Sequence, residues 1–226
     1  MNALLDRPIW SALSTIHAAL AEGDGLARRY GPGLLSLAGT AVDKPQAAAD
    51  FAALVQPGET LYFLQADPVL PPAGFETLVA TEAVQMIAHD VPTVAFDEAI
   101  VALGAADAEE MMALATLTKP GPFSLKSQAL GRFWGVRAGG RIVAMAGERM
   151  KQPGYTELSG VCTHPDHRGN GYARRLSLHV AGQIVEAGAC PYLHAFASNE
   201  AAIGLYETIG FAQRRSMHVA ALRRPD

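Results

Sequence analysis

With 226 residues, half of them hydrophobic and 18% charged, the chain can bury a real core in one large domain or two small ones, and it is too apolar to be disordered. A net charge of -4 without a basic stripe excludes a general nucleic-acid binder, and leaves a polyanion only a small site where local donors and a few arginines gather. No apolar run reaches the roughly 18 residues of a membrane helix, so no membrane partner is expected. The opening MNALLDRPIW lacks a signal-peptide pattern, and two cysteines, Cys162 and Cys190, fit a reducing cytoplasm better than a disulfide framework.

In chain order, Trp10 to Ala21 reads as a helix, and Ala47 to Leu54 as a second that ends before Pro57-Gly58. Thr60 to Gln65 is rich in β-prone residues and predicts a strand. The prolines of DPVLPPAG make Asp67 to Gly74 a loop, and Phe75 to Ala88 alternates as a further strand. Ile100 to Leu103 is a short strand, and Ala106 to Leu117 a helix ended by Thr118 to Pro122. Phe133 to Arg137 and Arg141 to Arg149 flank Ala138-Gly139-Gly140 as a hairpin. Tyr155 to Thr163 is a strand. Gly171 to Ala187 is an amphipathic helix with Leu176, Val180 and Ile184 on one stripe, stopped by Gly188. Pro191 to Ala197 is a strand, Asn199 to Ile209 a helix capped by Asn199 and Gly210, and Phe211 to Leu222 the last strand. This order predicts a mixed α/β fold with antiparallel hairpins, unlike the strict alternation of a doubly wound sheet.

The strongest chemical signal is Arg168-Gly169-Asn170-Gly171-Tyr172-Ala173, set between a strand and an amphipathic helix. Its glycines let backbone approach a ligand, and the first helical turn offers unpaired N–H groups for an anion. Arg168, Arg174 and Arg175 add mobile positive charge; on the glycines alone, an ordinary helix entry with solvated arginines is an equal reading. No Gly-x-x-x-x-Gly-Lys-Ser/Thr run occurs, and Arg174 stands where a dinucleotide fingerprint needs its third glycine or alanine. Cys162-x-His164-x-x-His167 only superficially resembles a metal cluster, because strand alternation turns Cys162 away from its neighbours and Pro165 bends the loop; no metal is expected. Cys190 has no base in sequence reach and is not expected to carry an acyl group.

The run VCTHPDHRGNGYARRL resembles motif A of the GCN5-related N-acetyltransferase (GNAT) superfamily, Arg/Gln-x-x-Gly-x-Gly/Ala, with Arg168, Gly171 and Ala173 in its fixed places. SNEAAIGLYETIGF is similar to motif B, with Asn199, Ala202, Leu205, Tyr206, Gly210 and Phe211 in place, about 30 residues further on. The wording THPDHRGNGYA is closest to the FR47-like members, and the resemblance covers Glu98 to Asp226. It implies a domain over 98–226 with a central twisted, mostly antiparallel sheet flanked by helices. Residues 1–97 form an N-terminal α/β segment of uncertain role, for which a degenerate half-domain of the same kind is one reading.

The resemblance further implies acetyl-CoA as cosubstrate and a primary amine as acceptor, with a small amine, an amino acid and a free protein or peptide N-terminus all left open. The pantetheine arm would run along Val161, Cys162 and Thr163, and the pyrophosphate would sit on Gly169, Asn170, Gly171, Tyr172, Ala173 and Arg174, with Arg168 also among the cofactor-binding residues. The thioester would lie in a gap between Glu157–Thr163 and Tyr192–Ala197, and Asn199 could touch the pantetheine. Tyr206 would protonate the departing thiolate. An alkylammonium of pKa about 10.4 must lose a proton before it attacks. Glu157 is the candidate base, 11 residues before Arg168 as in histone-type members; His194, five residues before Asn199, is its rival. A non-catalytic CoA-binding or sensing module is the alternative function. Acceptor identity, acyl length and oligomeric state are not written in the sequence.

Overall fold

In a computed structural model, residues 3–92 and 97–226 are described. In chain order they form α1 (Ala3–Asp6), α2 (Pro8–Leu13), β1 (Ala21–Glu22), β2 (Ala27–Tyr30), β3 (Ala38–Thr40), α3 (Pro45–Leu54), β4 (Thr60–Gln65), β5 (Glu76–Ile87), β6 (Ile100–Leu103) and α4 (Ala108–Thr118). There follow β7 (Phe133–Ala138), β8 (Arg141–Gln152), β9 (Tyr155–Thr163), α5 (Tyr172–Glu186), β10 (Cys190–Phe196), α6 (Glu200–Glu207) and β11 (Ala212–Arg223). Among the described residues no helix is long and apolar enough to cross a membrane.

Eight strands form one twisted sheet in the order β4-β11-β5-β10-β9-β8-β7-β6, and β1, β2 and β3 form a small separate one. Within the large sheet every pairing is antiparallel except β9 with β10. Alternation along β8 sends Ala144 and Ala146 into the cluster under α5, and Met145 into the one under α4, so the helices cover opposite faces. Leu176, Val180 and Ile184 of α5 are fully buried, at about 1.5–3 kcal/mol each for removal from water.

The expected helix from Trp10 to Ala21 ends at Leu13. Thr15 Oγ1 bonds back to Ser11 O, and the chain turns so that His17 is buried with its Nδ1 2.8 Å from Tyr30 Oη. The small strands β1, β2 and β3 were not expected: two to four residues long, they include two adjacent arginines in ARRY. Arg29 among them is buried and grips Glu59 through two bonds of 2.6 and 2.5 Å.

The N-terminal residues enter the same sheet. β5 lies between β10 and β11, paired with β10 from Ala83 to Ile87 and with β11 along its length. The expected boundary at 97/98 adjoins residues 93–96, which lie outside the described residues. A cut there removes β4 and β5, the two strands that hold β11, and leaves β11 unpaired and β10 with an open edge. Expressed alone, residues 99–226 should therefore lose cooperative thermal unfolding; a sharp transition like that of the whole chain would show that the C-terminal part closes its own sheet.

Candidate active site

The parallel pairing of β9 and β10 is brief: Cys190↔Tyr155, Pro191↔Thr156 and Tyr192↔Glu157. Beyond that point β9 stays on β8 as far as Ala144↔Thr163, while β10 follows β5 from Leu193↔Met86 to Phe196↔Ala83. The two strands part like a fork, and a cavity of about 760 Å³ opens at the fork, within the usual range for small-molecule sites. One wall is Leu158 to Val161 of β9; opposite stand His194, Ala195, Asn199 and Tyr206. Residues 32–37, Tyr62 and the 119–124 loop close the remainder. Tyr62 N donates to Ser36 O at 2.8 Å, which fastens the 32–37 segment beside β4.

Within the β9 wall the ladder slips between Met145↔Cys162 and Gly147↔Ser159, so Gly160 and Val161 face a single residue of β8. Such a bulge leaves one residue out of the ladder and bends the strand. Gly160 takes φ +65°, and a Cβ there would stand 3.1 Å from the Phe133 ring, so both backbone and space favour glycine. The bulge frees backbone amide capacity beside the cavity.

Glu157 sits at the last paired position of the fork, its carboxylate almost fully buried. Arg149 of β8 donates Nε and Nη2 to its two oxygens at 2.7 Å each, His194 Nδ1 lies 2.8 Å from Oε1, and Met150 N donates to Oε2 at 3.3 Å. Burial alone would raise its pKa, but the Arg149 guanidinium and these hydrogen bonds outweigh it and hold the carboxyl at about 2. His194 is fixed from its other side. Gln85 of β5 accepts from Arg214 on Oε1 and donates Nε2 to Leu5 O, which orients its amide toward His194 Nε2 at 2.9 Å. The imidazole therefore accepts on Nε2 and donates from Nδ1 to Glu157. Burial lowers its pKa, against the pull of Glu157, and it stays neutral.

Tyr206 is on α6 and lines the cavity. Its ring packs at 6.0 Å from Phe211, its hydroxyl makes no hydrogen bond among the described residues, and burial pushes its pKa up to about 12. Asn199 caps α6, accepting from Ala202 N on Oδ1 at 3.2 Å.

Residues 133–219 match the family described as FR47-like protein. Over 98% of this chain and 99% of its own length, a GNAT-family acetyltransferase structure from Novosphingobium aromaticivorans DSM 12444 is 42% identical, with a TM-score of 0.93. The chain belongs to the GNAT family. It is an acyltransferase, and its mixed sheet flanked by helices is the GNAT fold. A GCN5-related N-acetyltransferase from Kribbella flavida (19% identical, 96% of each chain, TM-score 0.62) shares the fold. So does a GCN5-related N-acetyltransferase-like protein from Streptococcus suis 89/1591 (13% identical, covering 97% of this chain and 96% of that one, TM-score 0.62). The chain matches no curated protein.

The residues of GNAT motif A separate into two places. Val161 lines the cavity, whereas Cys162 turns into the core under α4, where burial raises its thiol to about 11. Thr163 Oγ1 is buried without a hydrogen-bond partner among the described residues. Past β9, Gly169 and Gly171 take φ of +81° and +70°, and apart from their chain neighbours no atom of the described residues lies within 4 Å of where a side chain on either would begin, leaving the backbone open to a ligand. Asn170 Nδ2 donates to His167 O at 2.9 Å and shapes this turn, and Gly171 caps α5. The amides of Tyr172, Ala173 and Arg174 precede the first helical bond, Arg175 N to Gly171 O. One expectation is corrected: Arg175 is not mobile charge, because Asp97 takes its Nε and Nη2 at 2.6 and 2.7 Å. Arg149 and Gln85 were missed. The available signal was a polar residue within a strand, as in RMKQ and AVQMI.

Glu157→Gln should strip the buried Arg149 of its counter-charge and destabilise the fold at neutral pH by about 3–5 kcal/mol. The folded carboxyl titrates below its ordinary 4.5, so its stabilisation is present above about pH 4.5 and is lost as pH falls toward about 2. Denaturant unfolding should show the gap between wild type and E157Q narrowing from pH 7 to pH 3. A constant gap would contradict the ionised, paired carboxylate.

Proposed function

We propose that this GNAT protein transfers an acetyl group from acetyl-CoA to a primary amine inside the β9–β10 fork. The observation carrying this reading is a cavity with a bulged backbone on one wall and an unbonded tyrosine hydroxyl on the other. The groups present fit the cosubstrate. The backbone of Val161, Cys162 and Thr163 has no β10 partner and can pair with a pantetheine arm, and Asn199 stands across from it. The open turn Arg168, Gly169, Asn170, Gly171 and the first amides of α5 at Tyr172, Ala173 and Arg174 suit a pyrophosphate. When bound, the thioester supplies an acyl carbon open to nucleophilic attack.

The chain's own groups would then act as follows. An amide at the Gly160–Val161 bulge donates to the oxygen on which negative charge develops. Tyr206 keeps its proton at neutral pH and donates a hydrogen bond to the departing sulfur. A thiol has an ordinary pKa of about 8.5, so full transfer from a phenol at about 12 is uphill, and a strong hydrogen bond is the contribution the pKa values support.

The proposed base, Glu157, has both oxygens engaged and a pKa near 2, which suits a positioning residue better than a proton acceptor. His194 has both ring nitrogens engaged as well. The acceptor then loses its proton to water in the cavity, and Glu157 acts through Arg149 and His194 by holding the fork in shape.

Tyr206→Phe should lower kcat on the order of ten- to a hundredfold, the worth of a hydrogen bond to a charged atom, with acetyl-CoA affinity unchanged by calorimetry. Unchanged turnover would remove Tyr206 from the chemistry. With an alkylamine acceptor, kcat/KM should climb with pH up to the amine's own pKa, about 10.4. A plateau above a break near neutral pH, abolished in a folded E157Q enzyme, would restore Glu157 as base.

A further inference from the structure

The cavity lining carries a charge pattern that bears on the acceptor. Among its described lining residues the only carboxylate is Glu59, already committed to Arg29 through two bonds and to Gln56 N at 3.0 Å. No acidic group is left there to receive a second positive charge. The lining cations are Arg29, Lys119 and Arg149, and their situations differ. Arg29 is neutralised by Glu59.

Arg149 spends Nε and Nη2 on Glu157, which holds the guanidinium plane rigid. Its Nη1 donates to nothing among the described residues and lies 4.0 Å from where a side chain on Gly121 would begin, at the loop that closes the cavity. The free edge of such a guanidinium matches the two oxygens of a carboxylate.

Lys119 makes no ion pair among the described residues and is the only non-glycine described residue with positive φ, at +52°. It ends α4 in the left-handed region, a place where glycine is usual and another residue costs roughly 1–2 kcal/mol. Lys119 is exposed and lines the cavity, so its charge is available to a ligand there. Leu34, Leu35, Leu37, Leu64 and Phe123 supply an apolar surface beside these cations.

We infer that the acceptor is an amine that also bears a carboxylate, an amino acid with an apolar side chain, and that Arg149 and Lys119 bind its carboxylate. The inference rests on the proposed amine transfer and adds the class of acceptor. The Arg149–Glu157 pair is nearly self-neutral, so Lys119 supplies the net charge and Arg149 the directed hydrogen bonds. With the carboxylate held at the start of the fork, the amine end would then extend along the gap between β9 and β10, toward the wall carrying Tyr206.

The test uses the whole wild-type protein and two matched acceptor pairs: leucine against 3-methylbutylamine, and phenylalanine against 2-phenylethylamine. Thiol release from acetyl-CoA is followed, and kcat/KM is corrected to the unprotonated fraction of each amine. The amino acids should be favoured by roughly ten- to a hundredfold, the worth of charge-assisted hydrogen bonds. Lys119→Gly, which relieves the left-handed strain, should raise the melting temperature while shrinking that preference through a higher KM for the amino acid. Equal or better use of the decarboxylated amines overturns the inference, as does an undiminished preference in a folded K119G protein. Release with other amines or peptide N-termini but with none of these four overturns the inference alone, whereas tight acetyl-CoA binding with no thiol release to any amine of a wider panel overturns the amine-transfer reading itself, and so the two failures are distinguishable.

Discussion

The ion pair between Glu157 and Arg149 stands at the point where the sheet divides. Glu157 is the last residue of β9 paired with β10, and its carboxylate bonds to Arg149 on β8 and to His194 on β10. Three strands are tied together by one buried anion just before two of them separate. Burying such a pair costs desolvation that only good geometry and satisfied hydrogen bonds offset. Here both carboxylate oxygens are occupied, by Arg149, His194 and Met150 N, which offset that cost. The cavity opens directly beyond this point, with free β9 backbone on one wall and Tyr206 on the other.

The clamp extends into the N-terminal residues. Gln85 orients His194, and Arg214 and Leu5 orient Gln85, so β5, β11 and α1 have a stake in a site built on β9 and β10. Asp6 adds a 2.6 Å ion pair to Arg214. Residues 32–37 and Tyr62 wall the same cavity. The N-terminal residues thus contribute two strands, β4 and β5, to the sheet, a hydrogen bond to the clamp and one side of the cavity. Under the proposed function, acceptor selection would fall to the N-terminal residues, the 119–124 loop and Arg149, and cosubstrate binding to β9 and α5.

Legibility from the sequence followed the range of the interactions. Thr60–Gln65, Ile100–Leu103 and Tyr155–Thr163 could be bounded in advance because alternation and turn residues are local. The Asn199 cap and the Gly188 and Gly210 stops were visible for the same reason. The helix after Trp10 was overextended because burial of His17 against Tyr30, a tertiary event, breaks it. Insertion of β5 between β10 and β11 is a pairing across more than a hundred residues and leaves no local trace. Spacing singled out Glu157 but could not show what surrounds it, and its partners Arg149 and His194 decide its chemistry. Cys162 was rightly turned away from Val161 by strand alternation alone.

The central claim is that the β9 backbone beyond the fork and the turn leading into α5 form one continuous cosubstrate track. Titrating isotopically labelled protein with acetyl-CoA and following backbone amide resonances tests it most directly. The largest changes should fall on Gly160 to Thr163 and on Gly169 to Arg174, saturating together with one affinity. Saturable binding that leaves both segments unmoved while shifting resonances elsewhere would contradict the account.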